Sequence, residues 1–205
     1  MAALTKIETE RLLLRRPRLS DAAALHAAYG DPEVMKFIGD GKTMTQAKTK
    51  AWIEKALARW KADGFGHFVI EKDRKVIGRA GFLVWDPDEW KTGTLAELGS
   101  HAAIELGWML AREHWGNGYA TEAVAVLLEL GFGALQLQRI GATCHPGNIG
   151  SIRVLEKCGF TLEGRLRSHR LVRGVRRDSL VYSILAGEHD GAPTAHGVRA
   201  AEGAG

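Results

Sequence analysis

The sequence has little cysteine and no long apolar segment. Its two cysteines, Cys144 and Cys158, are too few for a disulfide framework and lack the C-x-x-C spacing of zinc or redox sites. There is no apolar run of about 18 residues and no basic-then-apolar leader. We therefore expect free thiols, no metal site, no membrane span and a cytoplasmic location.

A strong excess of one charge is also missing, since the formal net charge is only +4. The positive charge is nevertheless concentrated in an arginine cluster with no acid inside it: Arg165, Arg167, Arg170, Arg173, Arg176 and Arg177. Such a cluster can contact phosphates or acidic groups of a partner. Side chains alternate across a strand, so the six cannot all face one way. A solvated hairpin stays the alternative, and any nucleic-acid contact is expected to be indirect.

The length and composition indicate one domain. With 205 residues and 45% apolar residues, the chain can build one sizeable core but has little room for two. We expect this domain to span residues 1–186. Residues 187–205 are small and polar without periodicity, which predicts a disordered C-terminal tail.

Hydrophobic periodicity and capping residues predict about seven strands and about four helices. Ser20 or Asp21 is expected to begin the first helix, and Thr45 and Gly64 to bound the second. The predicted strands cover residues 10–17, a hairpin over 67–85, then 103–110, 139–144, 162–172 and 176–185, and later helices cover 121–135 and 148–157. Residues 85–101 are expected to form a long loop. The order is typical of an α+β (mixed α/β) domain.

A pair of glycines, Gly116 and Gly118, precedes the helix predicted from residue 121. A helix start offers free N–H groups and a positive dipole end, so a glycine loop there can bind an anion. No lysine follows as in a Walker loop, and Thr121 stands where a dinucleotide fingerprint needs its third glycine. The glycines could also simply make a tight turn.

Two longer segments, ELGWMLAREHWGNGYATEA and HPGNIGSIRVLEKCGF, resemble the GNAT superfamily of N-acetyltransferases, and within it the ribosomal-protein-alanine (RimJ/RimL-type) branch. The similarity runs from about Glu8 to about Leu185. It implies a mostly antiparallel twisted sheet that is splayed in the middle. It also implies acetyl-CoA as co-substrate, no metal, and direct attack by a primary amine in a ternary complex.

The resemblance implies a set of residues around acetyl-CoA. The pyrophosphate is assigned to backbone N–H groups of the glycine loop, and Trp115 stands where the family usually has glutamine or arginine. The N–H of Met109 or Leu110, beside an expected bulge, would polarise the thioester carbonyl. Asn148 would contact the pantetheine arm, and Arg153 or Lys157 the 3′-phosphate. The loop residues are Gly116, Asn117, Gly118, Tyr119, Ala120 and Thr121.

Two residues are candidates for proton transfer. Glu105 shares a strand face with Gly107 and Met109 by the period of two, which makes it the candidate general base, unless it merely faces solvent. The resemblance places Ser151 near the sulfur, where it would protonate the thiolate, although Ser151 and Asn148 could both only cap their helix.

Weaker candidates are also present. Glu97 is a less favoured base because it lies in the long loop. Some relatives place a base, a glutamate, near the positions of His169 and Arg170. Arginine cannot serve because it stays protonated, so the role falls here to Glu105, to His169 or to no residue. A covalent route through Cys144 or Cys158 is not favoured, because no recognisable histidine and acid accompany either thiol.

The expected acceptor is a protein N-terminal α-amine such as that of a ribosomal protein. An α-amine with a pKa near 8 is roughly 10% neutral at pH 7, whereas a lysine amine is almost entirely charged. A small-molecule or antibiotic amine is the alternative acceptor. The alternative function is a non-catalytic CoA-binding or RNA-binding regulator. The protein is expected to be a monomer or a homodimer. In the 85–101 segment, Trp85 and Trp90 could shape a pocket or a dimer contact, and Asp86, Asp88 and Glu89 could attract a cationic amine.

Overall fold

The computed structural model describes residues 6–189. Within them one nine-stranded sheet carries helices on both faces. The strands are β1 (Lys6–Glu8), β2 (Leu13–Arg15), β3 (His67–Lys72), β4 (Lys75–Asp86), β5 (Lys91–Thr92), β6 (Ala103–Leu110), β7 (Arg139–Cys144), β8 (Thr161–Val172) and β9 (Val175–Leu185). The helices are α1 (Ala22–Tyr29), α2 (Pro32–Met35), α3 (Gln46–Asp63), α4 (Leu95–Leu98), α5 (Tyr119–Phe132) and α6 (Ile149–Lys157).

The sheet is antiparallel everywhere except at its centre. Its order is β1-β2-β3-β4-β6-β7-β9-β8, with β5 paired to β4. The parallel neighbours β6 and β7 match at one position, Glu105 opposite Gly141. After this position the side of β6 that faces β7 has no partner strand. The predicted α+β class and the splayed, mostly antiparallel sheet are confirmed.

Side chains alternate along the central strands and pack into two hydrophobic cores on opposite faces of the sheet. Leu106 of β6 packs with α5, whose Leu127 and Leu128 are almost fully buried. Met109 of the same strand packs with α1, α2 and α3 on the other face. Because both faces are covered, β6 is packed from two sides. This packing fixes the position of the backbone groups along its open edge.

Several predicted boundaries are confirmed. Thr45 caps α3 through a hydrogen bond from Lys48 N at 3.3 Å, and Gly64 ends that helix. Asn148 caps α6, and the last hairpin turns at Arg173 and Gly174.

The numbers of elements differ from the prediction of seven strands and four helices. The strands β1 and β5 and the helices α2 and α4 were missed, because two to four residues are too few to show periodicity. The predicted strand 10–17 is shorter, Leu13–Arg15. The helix α5 begins two residues earlier than predicted, directly after Gly118, and ends at Phe132 instead of residue 135.

The predicted long loop at residues 85–101 is wrong, since β5 and α4 fold back there against β4 and α3. The helix α4 carries a capping box between Thr94 and Glu97, a signal that the sequence contained. Residues 190–205 of the predicted tail lie outside the described residues. None of the helices within residues 6–189 is long and apolar enough to cross a membrane.

Candidate active site

A cleft of about 1020 Å³ opens where β6 and β7 separate. The starts of α5 and α6 line one end, and β4, α3 and β8 line the other. The cleft brings together these predicted site residues: Glu105, Met109, Leu110, Gly116, Ala120, Asn148 and Ser151. The predicted residues that do not line it are Asn117, Gly118, Tyr119, Thr121 and Arg153.

The glycine loop leaves the start of α5 open to an anion. Gly116 and Gly118 have φ angles of +77° and +79°, in the left-handed region that favours glycine. Gly118 is the N-cap and offers no side chain to the helix. The first amide bonded back to the cap is Glu122 N, 3.0 Å from Gly118 O. The three preceding amides, of residues 119–121, therefore have no intrahelical acceptor and are available to a phosphate.

Sequence reasoning missed Arg11 beside this loop. Its Nη1 donates to Asn117 O at 3.1 Å, its Nε donates to Glu122 Oε2 at 2.7 Å, and it lies 4.8 Å from the Tyr119 ring centroid. These contacts hold the Arg11 guanidinium against the loop, where it is paired with the Glu122 carboxylate. The contacts join residues more than 100 positions apart, so local patterns carried no signal for them.

The register of β6 selects between the two predicted oxyanion donors. Ala111 N donates to Ile77 O at 2.9 Å, and antiparallel pairing alternates, so the Met109 amide faces β4 and the Leu110 amide faces the opening. On that same side Leu110 O accepts from Trp115 Nε1 at 2.9 Å. The Leu110 N–H is therefore the donor that reaches the cleft, while Met109 contributes its side chain to the core.

The expected bulge in β6 is wrong for its pairing with β4. The register runs without a shift from Gly78 opposite Leu110 to Trp85 opposite Ala103. The cleft opens because β7 leaves β6 after their one matched position.

Glu105 lies at the branching point of the two strands and is half-buried. Its Oε1 accepts hydrogen bonds from Thr143 Oγ1 at 2.7 Å and Thr143 N at 3.2 Å, both from β7. Burial raises the pKa of this carboxyl above its ordinary value, against the lowering effects of the Thr143 bonds and the charges of Arg170 and Arg79. A carboxylate held in the cleft with a raised pKa is a stronger base than an ordinary carboxylate and can accept a proton from a bound group.

The start of α6 combines a cap with a free hydroxyl. Asn148 Oδ1 accepts from Ser151 N at 3.2 Å, so the capping role is present and both side chains still line the cleft. The Ser151 hydroxyl itself has no hydrogen-bond partner within residues 6–189 and can donate to a group in the cleft. Arg153 is exposed on the outer side of the helix.

The weaker candidates for a catalytic role differ in their position and in their pKa. Glu97 is exposed, and its carboxylate accepts from Thr94 N at 2.9 Å, which is a capping contact outside the cleft. His169 lines the cleft, and burial together with Arg170 and Arg176 lowers its pKa, so its ring is neutral near pH 7. Burial raises the pKa of Cys144 and of Cys158 to about 11, so neither thiol is activated as a nucleophile.

The other end of the cleft has an aromatic wall. Trp90 packs between Trp85 and His169, tilted against the first ring and edge-to-face with the second, with ring centroids 4.7 Å and 4.1 Å apart. Both tryptophans of the 85–101 segment line the cleft. The acids of that segment do not line it. Asp86 Oδ1 accepts from the amides of Asp88 and Glu89, which makes a turn.

The floor of this end contains residues that sequence reasoning did not single out. Arg79 Nε donates to Tyr29 Oη at 2.7 Å and lies 5.1 Å from the Trp52 ring centroid. Burial, with the charges of Arg79 and Arg59, lowers the pKa of His67 well below its ordinary value. Four elements supply these side chains, so only the fold brings them together.

The part of the chain that the structure describes shows no group of three histidine, cysteine or acidic side chains able to hold a metal ion. The residues of the cleft offer N–H groups, a carboxylate and a hydroxyl to a bound ligand.

Comparisons with known proteins agree with this geometry. The acetyltransferase (GNAT) domain family model matches residues 11–161. The chain is 36% identical over 186 residues to the uncharacterized N-acetyltransferase p20 of Bacillus licheniformis, covering 89% of this chain and 97% of the relative.

Two solved structures share the fold and part of the sequence. A GNAT-family acetyltransferase from Bacillus anthracis superposes with a TM-score of 0.75 at 28% identity, covering 90% of this chain and 100% of the other. Mycobacterium smegmatis RimJ, in complex with CoA-disulfide, gives 0.74 at 28% identity, covering 91% and 90%. The chain belongs to the GNAT family and is an N-acetyltransferase, an acyltransferase that uses acetyl-CoA.

Proposed function

We propose that this enzyme transfers the acetyl group of acetyl-CoA to a protein N-terminal α-amine, such as that of a ribosomal protein, in a ternary complex. The observation that carries the proposal is the convergence of the Glu105 carboxylate, the Leu110 amide and the Ser151 hydroxyl on one cleft. These are the base, the oxyanion donor and the acid that the reaction needs.

Acetyl-CoA fits the end of the cleft nearest the helix starts. The amides of residues 119–121 and the Arg11 guanidinium supply charge and donors for the diphosphate, and Asn148 lies where the pantetheine arm would pass. Arg153 and Lys157 would meet the 3′-phosphate from the solvent side. The CoA-disulfide bound to Mycobacterium smegmatis RimJ supports this ligand class.

The residues would divide the proton transfers among them. Glu105 accepts the proton of the attacking amine as the new C–N bond forms, and the Leu110 N–H donates to the oxyanion. When the C–S bond breaks, Ser151 donates its proton to the departing sulfur, and it regains a proton through solvent as Glu105 releases the one taken from the amine. The raised thiol pKa values support direct attack over a cysteine-bound intermediate.

The acceptor assignment rests on the ease of deprotonation. One partly buried carboxylate can take a proton from an α-amine with a pKa near 8 far more readily than from a lysine near 10.4. The free thiols suit a reducing compartment, which supports action in the cytoplasm.

The test uses four acceptors with acetyl-CoA: a peptide with a free N-terminus and an internal lysine, its N-terminally blocked twin, a small primary amine and an aminoglycoside. Mass spectrometry locates the added acetyl group. We expect it on the α-amine of the first peptide. Acetylation of only the small amines would overturn the acceptor, and acetylation of the blocked peptide would point to lysine.

A further inference from the structure

A second cavity of about 420 Å³ adjoins the acetyl-transfer cleft and is strongly basic. Its lining shares Thr143, Cys144 and Arg170 with the cleft. Four basic side chains and one carboxylate line it: Lys36, Arg170, Arg173, Arg177 and Asp178. We call it the basic pocket.

The one carboxylate of the basic pocket is already engaged. Asp178 accepts from Ser168 N at 2.9 Å and from Arg165 Nε at 2.6 Å. The Ser168 bond and then Arg165 lower the pKa of Asp178, so it is ionised and satisfied by these neighbours. Its ion pair is with Arg165, and within residues 6–189 it makes none with Arg170, Arg173 or Arg177.

Two of the arginines face each other. Arg170 of β8 is directly opposite Arg177 of β9 in the register. Like charges in such a cross-strand pair repel. Among residues 6–189 no carboxylate lies within 4.0 Å of either guanidinium. An anion from outside the chain would relieve this repulsion.

The remaining basic groups complete the pocket wall. The Arg173 guanidinium donates to Gly41 O at 2.8 Å, which ties the β8–β9 hairpin to the segment before α3. Lys36 makes a loose, exposed pair with Glu33 at 3.7 Å. All four basic side chains are exposed, and only that of Arg173 is tied by a hydrogen bond to another part of the fold.

Arg170 connects this pocket to the reaction. It lines both cavities, and its charge lowers the pKa of Glu105 in the cleft. An anionic group of the acceptor held between Arg170 and Arg177 would therefore lie close to the acceptor amine beside the Glu105 carboxylate. At about 30 Å³ per water, the pocket holds roughly a dozen waters, enough for acidic side chains but not for a nucleic-acid helix.

We propose that the basic pocket binds a carboxylate or phosphate of the acceptor, and that the enzyme prefers N-termini with acidic residues directly after the first residue. This inference rests on the proposed function and narrows its substrate class. A small amine that carries a carboxylate or phosphate offers the same chemistry and forms a separate arm of the test.

The test compares three peptides with the same first residue, followed by Asp-Glu, Asn-Gln or Lys-Lys. We expect kcat/KM for the acidic peptide to exceed that for the neutral one by about tenfold, mostly through KM, because charge-assisted hydrogen bonds are lost in the neutral peptide. Arg177→Gln should reduce this ratio to near one, and Arg177→Lys should keep much of it. Arg167→Gln is the matched control, since Arg167 lies on the same hairpin but lines neither cavity.

Each of the following outcomes would overturn either the inference or the proposed function. Equal rates for acidic and neutral peptides would remove the inference and leave the proposed function standing. Acetylation of phosphorylated or carboxylated small amines, with no peptide accepted, would remove the proposed function and keep the pocket's ligand class. An equal loss of preference in Arg167→Gln and Arg177→Gln would show a diffuse field instead of a site. Inhibition by added RNA with no acidic preference would assign the cluster to nucleic acid.

Discussion

Glu105 shows how one residue acquires its chemistry from its neighbours. On a period-two strand it could have faced solvent, but the departure of β7 places Thr143 over it and buries it partly. Burial favours the neutral acid and raises the pKa, while the Thr143 hydrogen bonds favour the carboxylate and limit the rise. The two effects together leave a carboxyl with a pKa above its ordinary value.

Ser151 gives the first test at this scale. Replacing it with alanine removes the hydroxyl but keeps the backbone amide that Asn148 caps, so we expect the helix to survive. We predict a fall in kcat of about 10²-fold, since positioned proton transfer typically contributes 10² to 10⁴. Steady-state kinetics with saturating acetyl-CoA measures this.

Ser151→Thr is the conservative partner, because it restores a hydroxyl and should recover part of the rate. A Ser151→Ala enzyme with wild-type kcat would show that water protonates the sulfur. A leaving thiol of lower pKa should shrink the defect if Ser151 is the acid.

At the scale of elements, the start of α5 leaves backbone amides without an intrahelical acceptor, an arrangement that suits an anion and costs the helix stability. Gly118 provides a left-handed N-cap without a side-chain bond, which leaves amides open that a serine cap would satisfy. Arg11, paired with Glu122, places its guanidinium against the same loop.

Gly118→Ala tests this arrangement. A Cβ at φ +79° strains the backbone by about 1 kcal/mol and would lie 3.5 Å from Arg11 Nη2. We expect KM for acetyl-CoA to rise several-fold, with kcat at saturation changed much less.

The control is Gly64→Ala at the end of α3, which has a similar φ of +77° and open space around the added Cβ. It should lower the melting temperature by a comparable amount and leave KM unchanged. If both variants changed KM alike, the effect of Gly118→Ala would come from lost stability and not from the loop.

Elements with clear periods or caps could be predicted from the sequence, and the site only in part. The helix α3, the β3–β4 hairpin and α6 carry such signals, whereas β5 and α2 are too short to show any. Glu105 and the glycine loop were found because strand alternation and helix starts are local. Arg11, Arg79 and Trp52 were missed because their roles come from contacts across the sheet, which no local pattern encodes.

At the scale of the whole molecule, one prediction concerns acid stability. Arg139, reaching across β9, and Ser183 hold Glu163 of β8 and lower its pKa to about 2. A carboxylate whose pKa is depressed in the folded state stabilises the fold above its unfolded pKa of about 4.3, and this contribution is lost as the pH falls toward about 2.

Glu163→Gln should therefore lower the free energy of unfolding at pH 7 by about 0.5–1 kcal/mol, a value suited to an exposed pair. The difference from wild type should vanish near pH 2. Urea unfolding at a series of pH values measures it, and a difference that stayed constant down to pH 2 would mean that packing, not charge, is lost.

Burial of His67 in its neutral form also makes the fold less stable in acid, and this effect begins at a higher pH than that of Glu163. Its folded pKa lies well below that of the unfolded chain, so the unfolded state binds the extra proton and stability declines as the pH falls below about 6.5. The whole fold is thus expected to be most stable at neutral or mildly alkaline pH, where an α-amine is also increasingly neutral.

The most direct test of Glu105 as the base is the pH dependence of kcat for wild type and Glu105→Gln with saturating substrates. For wild type we predict a loss of activity on the acid side with a midpoint above the ordinary carboxyl range, unmoved when the acceptor amine is changed to one of lower pKa. Glu105→Gln should lose about 10²-fold or more in kcat and should lose this acid limb. A variant with wild-type kcat and the same acid limb would contradict the account.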